Sequence, residues 1–276
     1  MTPTTKTLLP LLLSATLALY GCGNDEGVNS DSEGDTDTDT DTDTDTQTDT
    51  DTDTDACSAL EFTTEDKVTV EGMAGVSLGS EFTLEGWINW DGTDGREIHT
   101  LANQGWDSSG SGNQWIFGVY TADGSDCAGD HESGSVFFNV LSGACAFSSG
   151  ALVPGTWHHV AVTYDAGSAT IWIDGVEDVA GDRAGSGSIT NSEALEIGYS
   201  LNSGSDWAFN GMLDQIRLAS TVFYTTDFSA TSPLEVESDT VALWSFDEGS
   251  GTTAADDASG YDGTVSGAAW VEECPP

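Results

Sequence analysis

The stretch Trp157-His158-His159-Val160-Ala161-Val162-Thr163-Tyr164-Asp165, followed closely by Ile171-Trp172-Ile173-Asp174-Gly175-Val176, decides the fold. Its β-branched and aromatic residues alternate with a period of two, so that Val160, Val162 and Tyr164 share one face with His158. The Asp174-Gly175 pair between two apolar runs predicts a tight hairpin, because both central residues of the favoured turn need positive φ. His158 and His159 fall on opposite faces and cannot chelate one ion together. Packing within a strand is therefore their expected role.

The same period recurs outward in both directions. In Phe82-Thr83-Leu84-Glu85-Gly86-Trp87-Ile88-Asn89-Trp90 one face carries Phe82, Leu84, Ile88 and Trp90, the other Thr83, Glu85, Trp87 and Asn89. Further strands are predicted at 67–71, 97–102, 114–121, 135–141, 194–199, 212–218 and 240–246, with Gly, Ser, Asp and Asn between them. From Ala56 onward no apolar pattern of period 3.6 lasts beyond a turn. A dozen or so short strands with frequent turns predict an all-β fold, a two-sheet antiparallel sandwich over residues 56–276.

Several of these segments resemble, in order, the laminin-G-like domains of the concanavalin A-like jelly rolls. Leu60-Glu61-Phe62 with Val68-Thr69-Val70, then Phe82–Ile88, look like the opening strands. Gly155–Asp165 and Ile171–Gly175 match a characteristic strand and hairpin. Leu195–Gly198 and Phe209–Leu218 resemble closing strands, and Ala242–Ala254 a segment that often bounds such domains. The resemblance implies a jelly roll that binds glycans, proteins or calcium, with some relatives acting as glycosidases.

The N-terminal part reads differently. Residues 1–22 hold one base, Lys6, no acid, and an apolar run from Leu8 to Leu19. The run is too short to span a bilayer stably and is laid out like a signal peptide. It ends in Leu19-Tyr20-Gly21-Cys22, which resembles the lipobox of bacterial lipoproteins. That resemblance implies cleavage before Cys22 and a lipid on Cys22, with Gly23 favouring the outer membrane or cell surface. Residues 23–55 form an Asp/Thr-rich linker with Val28 as its only aliphatic residue. It cannot bury enough apolar area to offset its ordering entropy, and repulsion between its acids extends it. The alternating Asp residues lack the Gly and the distal acid of a calcium loop.

Composition limits the partners. The net charge of −43, with only Lys6, Lys67, Arg96, Arg183 and Arg217 as bases, disfavours nucleic acid and anionic lipid headgroups. The expected membrane contact is through the lipid anchor alone. Besides Cys22 the chain has Cys57, Cys127, Cys145 and Cys274. An even set in an exported chain predicts two disulfides. Cys57 opens and Cys274 closes the domain, and first and last strands of sandwiches commonly lie side by side. Cys127 and Cys145 flank the predicted strand 135–141. The expected bonds are therefore Cys57–Cys274 and Cys127–Cys145.

Three sets of side chains are candidates for function. Trp106 and Trp207 sit in or beside loops, where aromatic faces can stack on sugars; Trp115 fits an inward strand position instead. Asp123, Asp126 and Asp130 cluster in a Gly-rich loop, as oxygen ligands for calcium would. Asp214 falls, by strict alternation, on the apolar face with Met212, Ile216 and Leu218, so a buried, hydrogen-bonded structural acid is expected there. The family resemblance implies that it ties down loop N–H groups. No strand presents the alternating acids of a sandwich glycosidase, and Asp247-Glu248 would point to opposite faces. HExxH, a Gly-x-Ser-x-Gly elbow and a P-loop are also missing. The expected function is a lipid-anchored binding module for glycan or protein ligands, with calcium as a candidate cofactor. A carbohydrate-active enzyme and a purely structural envelope protein are the alternatives.

Overall fold

The structure, a computed structural model, describes residues 57–105, 114–121, 131–140, 144–183, 189–190, 192–200 and 207–276. Two antiparallel eight-stranded sheets pack face to face. The first is built from β1 (Ala59–Phe62), β4 (Glu81–Trp90), β9 (Trp157–Asp165), β10 (Ser168–Ile173), β11 (Val176–Arg183), β14 (Gly211–Ala219), β15 (Thr240–Trp244) and β18 (Ala269–Val271). Its order is β11-β10-β9-β4-β14-β1-β18, with β15 pairing with β14. The second contains β2 (Lys67–Val70), β5 (Ile98–Gln104), β6 (Trp115–Tyr120), β7 (Ser135–Val140), β8 (Ala144–Ala151), β13 (Leu195–Ile197), β16 (Thr253–Ala254) and β17 (Gly263–Ser266). Its order is β16-β17-β2-β13-β5-β6-β7-β8. A two-stranded ribbon joins β3 (Ser77–Gly79) to β12 (Ile189–Thr190). A 3-10 turn spans Glu71–Met73.

The sequence period explains the packing. Phe82, Leu84, Ile88 and Trp90 of β4 and Val160, Val162 and Tyr164 of β9 all enter the core between the sheets. They meet Val68 and Val70 of β2, Trp115, Phe117 and Val119 of β6, and Phe138 of β7. Phe82 stacks on Tyr164 at 4.9 Å and meets Phe138 edge-on at 5.9 Å. Trp115 is fully buried, as its inward position predicts.

The Asp-Gly hairpin forms as expected, with Ile173 opposite Val176 and with φ of 51° at Asp174 and 77° at Gly175. A side chain at Gly175 would also collide with the carbonyl of Phe228, so glycine is required twice over. The β9–β10 turn uses the same device at Ala166-Gly167, a pair that carries no comparable sequence signal. Cys57 and Cys274 are bonded, their Cα atoms 5.9 Å apart, and β1 pairs with β18 beside them. Cys22 and Cys127, and with Cys127 its expected bond to Cys145, lie outside the described residues.

One expectation changes face. Gln215 has φ of 53° and the β14–β4 register shifts between Asp214 and Arg217. The bulge inserts one residue and inverts the alternation. Leu213, Ile216 and Leu218 consequently point into the core, while Met212, Asp214 and Arg217 lie on the outer face of the first sheet. Asp214 does not share a face with Ile216 and Leu218.

Candidate functional site under a strap on the outer face

The outer face of the first sheet is a grid set by register. Trp157, Asn89 and Met212 form one row across β9, β4 and β14; His159, Trp87 and Asp214 form the next; Ala161, Glu85 and Arg217 the third. Thr83 and Thr163 begin a fourth. After β14 the chain crosses this face as an irregular strap, residues 220–239, before entering β15. Side chains of the sheet hold the strap. Thr83 Oγ1 donates to the Thr221 carbonyl and accepts from Phe223 N–H, and Gln215 Oε1 accepts from Leu234 N–H. Phe228 N–H donates to the Gly175 carbonyl.

A charged cluster sits beneath the strap. Glu85 Oε1 accepts from Arg217 Nε at 2.9 Å and is ion-paired with Nη2 at 2.7 Å, while Nη2 donates to the Tyr224 hydroxyl oxygen at 3.2 Å. Glu85 Oε2 accepts from His159 Nε2 at 2.9 Å and from the Tyr224 hydroxyl at 2.7 Å. Three donors and the guanidinium charge thus surround one carboxylate. The Glu85 and His159 side chains are fully buried and Arg217 is 3% exposed. Burial alone would raise the Glu85 pKa, but the His159 contact, the Arg217 charge and the Tyr224 hydroxyl outweigh it and hold the carboxylate below its ordinary range. Burial and the neighbouring Glu85 push Tyr224 upward, so its hydroxyl keeps its proton. Arg217 NH1 also reaches the Glu235 carbonyl at 2.6 Å and Glu237 at 3.4 Å, and the guanidinium lies over the Phe223 ring at 4.8 Å.

A cleft of about 240 Å³ opens between strap and sheet, bordered by His159, Arg217, Tyr224, Phe228, Leu234 and Glu237. Beside it, Asp214 is 1% exposed and accepts one hydrogen bond from Gln215 Nε2 at 3.0 Å. Burial first, then the Asp247 charge, push its pKa up to about 8, so the carboxyl is neutral at pH 7. Gln215 is the partner through both its side-chain amide and its backbone N–H. On the turn next to the cluster, Asp174 ties both histidines: Oδ2 lies 2.8 Å from His158 Nδ1 and Oδ1 accepts the His159 N–H at 3.0 Å.

The other candidate residues fall elsewhere. Trp207 is 5% exposed and packs with Ile98, Ile116, Tyr120, Phe137 and Phe147 in a second apolar cluster. The expectation of an open stacking face there is corrected: Trp207 is a packed residue beside the second sheet. Trp106, Asp123, Asp126 and Asp130 lie outside the described residues. Among the described residues no group of three or more His, Cys, Asp or Glu is placed to hold a metal ion.

Residues 62–227 match the laminin-G family model described as the concanavalin A-like lectin/glucanases superfamily. The chain belongs to this superfamily. No curated protein matches the concanavalin A-like chain closely enough to count as a relative. Among solved structures it is similar to a candidate carbohydrate-binding protein from Bacteroides ovatus, at 21% identity and a TM-score of 0.56. That likeness covers 78% of this chain and 60% of the other, so the chain spans less than two thirds of that protein. A heptameric SAP-like pentraxin from Limulus polyphemus matches at 14% identity and a TM-score of 0.48, covering 62% of this chain and 79% of the pentraxin. Domains LG4-5 of the mouse laminin α1 chain match at 13% identity and a TM-score of 0.42, covering 65% and 48%. The Bacteroides ovatus likeness shows the concanavalin A-like fold.

Proposed function

We propose that this concanavalin A-like domain is a glycan-binding module, carried by an exported protein anchored through a lipid on Cys22 and held off the membrane by the Asp/Thr-rich linker. The observation that carries binding over catalysis is Glu85. It is one of two buried acids near the cleft, it is held ionised, and three hydrogen bonds and an ion pair from the protein's own side chains engage it, so it has no proton to give and is not free to serve as a base. A general acid or nucleophile needs one or the other. This engagement of Glu85 supports binding over catalysis. The candidate carbohydrate-binding protein of the same fold supports glycan as the ligand class, and the net charge of −43 favours neutral sugars over acidic ones. Calcium at Asp123, Asp126 and Asp130 belongs to the same proposal as an auxiliary.

The test is a glycan array probed with the intact chain, with and without calcium, beside an assay for released reducing ends. Retention of neutral glycans without new reducing ends is the expected result; steady release of reducing ends that one Asp or Glu substitution abolishes overturns it. For the anchor, metabolic labelling with a palmitate analogue should mark the wild type and not Cys22→Ala. Label retained by the variant removes the lipid clause.

A further inference from the structure

Charge is unevenly available around the cleft under the strap. Among the described residues that line it, Arg217 alone is a Lys or Arg, and its charge is turned inward. The guanidinium is 3% exposed, holds the fully buried Glu85 through Nε and Nη2, and gives Nη1 to the Glu235 carbonyl. The two acids on the lining are turned the other way. The Glu237 side chain is 57% exposed and touches Arg217 Nη1 at 3.4 Å. Glu235 is exposed and engages Arg217 by its backbone carbonyl, which leaves its carboxylate to solvent. Glu85 cancels Arg217, so Glu235 and Glu237 remain as a surplus of negative charge at the opening. Of the other bases, Lys67 stands on the second sheet and Arg96 is paired with Asp94.

We infer that this cleft binds a sugar unit through a protonated amine: its ligand is an amino sugar whose ammonium pairs with Glu237 and Glu235. The inference rests on the glycan reading above and narrows it to one class of sugar at one place. An ammonium donates in three directions and accepts nothing, which suits two carboxylates that only accept. A sugar bearing a carboxylate would meet both acids with the same sign. A neutral sugar would gain no charge attraction from them. The net charge of −43 acts in the same direction, since the field of the whole chain concentrates cations at its surface.

The rest of the lining suits the ring that carries the amine. Phe228, Pro233 and Leu234 give an apolar wall for its C–H face, and Ser229 and Thr231 bring exposed hydroxyl groups to meet its own. The wall is held in place before any ligand arrives. Phe228 stacks on Tyr224 at 3.6 Å and its N–H donates to the Gly175 carbonyl, while Leu234 N–H donates to Gln215 Oε1. Such pre-organisation lowers the ordering cost of binding. The cleft volume of about 240 Å³ lies below the roughly 300–1,000 Å³ of ordinary ligand pockets, which matches a single sugar unit and not an extended chain.

The test follows the ring signals of Tyr224 and Phe228 by nuclear magnetic resonance in the intact chain, because the Asp/Thr-rich linker also attracts cations and total binding would not separate the two. Glucosamine, N-acetylglucosamine, glucose and methylamine are titrated in turn at about pH 6, where a free amine is protonated. At low salt glucosamine should bind about tenfold tighter than N-acetylglucosamine, as charge attraction at a half-exposed site allows. Glu237→Gln should remove most of that preference with the unfolding midpoint unchanged, and about 0.5 M salt should erase it. If the three sugars move the signals alike, or Glu237→Gln keeps the preference, the amine has no part in binding; the inference is overturned and the glycan reading stands. Methylamine acting at the same concentrations as glucosamine would show that the ring contributes nothing, which also overturns it. If an array retains glycans but no sugar moves either ring, the ligand sits elsewhere; the inference is overturned and the glycan reading stands. If no glycan is retained and no sugar moves the rings, both fall together.

Discussion

Asp214 and Glu85 are two buried acids on one sheet face, and they titrate in opposite directions. Asp214 is raised from 3.8 to about 8 in the folded chain. The folded state therefore holds a proton that the unfolded state releases, and this contribution to stability is lost as pH rises from about 4 to about 8. Asp214→Asn keeps the shape and removes the charge. It should raise the unfolding midpoint at pH 7, at up to about 1.4 kcal/mol for each pH unit above the ordinary value, and flatten the pH profile in that window. An equal or lower midpoint for the variant at pH 7 contradicts this account. Glu85 is depressed, so its contribution is present above its ordinary range near 4.5 and disappears as the solution becomes more acidic. Glu85→Ala leaves the Arg217 guanidinium buried without its carboxylate, which should cost about 3–5 kcal/mol in urea unfolding at pH 7. A loss below 1 kcal/mol would mean that the strap rearranges to hydrate Arg217.

At the scale of elements, the strands were legible because alternation maps directly onto burial: the predicted inward faces of β4 and β9 are the core faces. The Asp174-Gly175 hairpin was legible because its turn type demands those residues. The β14 bulge was not, since Gln215 is an ordinary residue adopting a positive φ under tertiary constraint. With it went the correct face of Asp214. The strap carries no period of its own and escapes pattern reading altogether. One signal for the charged cluster was present. Arg217 is one of five bases in the chain and lies in mid-strand, where a buried cation requires an acid on an adjoining strand; Glu85 is the acid at the centre of the other predicted β face. Gly175→Ala tests how turn and strap depend on each other. The added methyl meets the Phe228 carbonyl and forbids the turn conformation, so amide exchange should accelerate at Phe228 and Leu234 together with Asp174. Acceleration confined to 174–176 would show that the strap is held independently of the hairpin.

For the molecule as a whole, Cys57–Cys274 closes a loop of 217 residues in sequence separation. On the chain-entropy model such a closure contributes about 5 kcal/mol by restricting the unfolded ensemble. Cys57→Ser with Cys274→Ser should lower stability by an amount of that order while leaving the sandwich folded, because the core between the sheets does not depend on the bridge. Collapse of the double variant to an unfolded chain under native conditions would give the bridge a larger role than the core.

The place of β1 gives the molecule a mechanical character. β1 lies inside its sheet, with β14 on one side and β18 on the other. A pull on the chain ahead of Cys57 therefore runs along a strand gripped by two antiparallel ladders, which must slide together instead of opening one bond at a time. The bridge to Cys274 passes part of that load to the C-terminal end of the chain, beyond the neighbouring strand β18. In an atomic-force experiment that pulls from residue 56 against a handle on the outer face of β4, oxidised protein should yield at higher force than reduced protein. The domain would then behave as a load-bearing link, one in which a pull on its first strand is shared across the sheet instead of unravelling it.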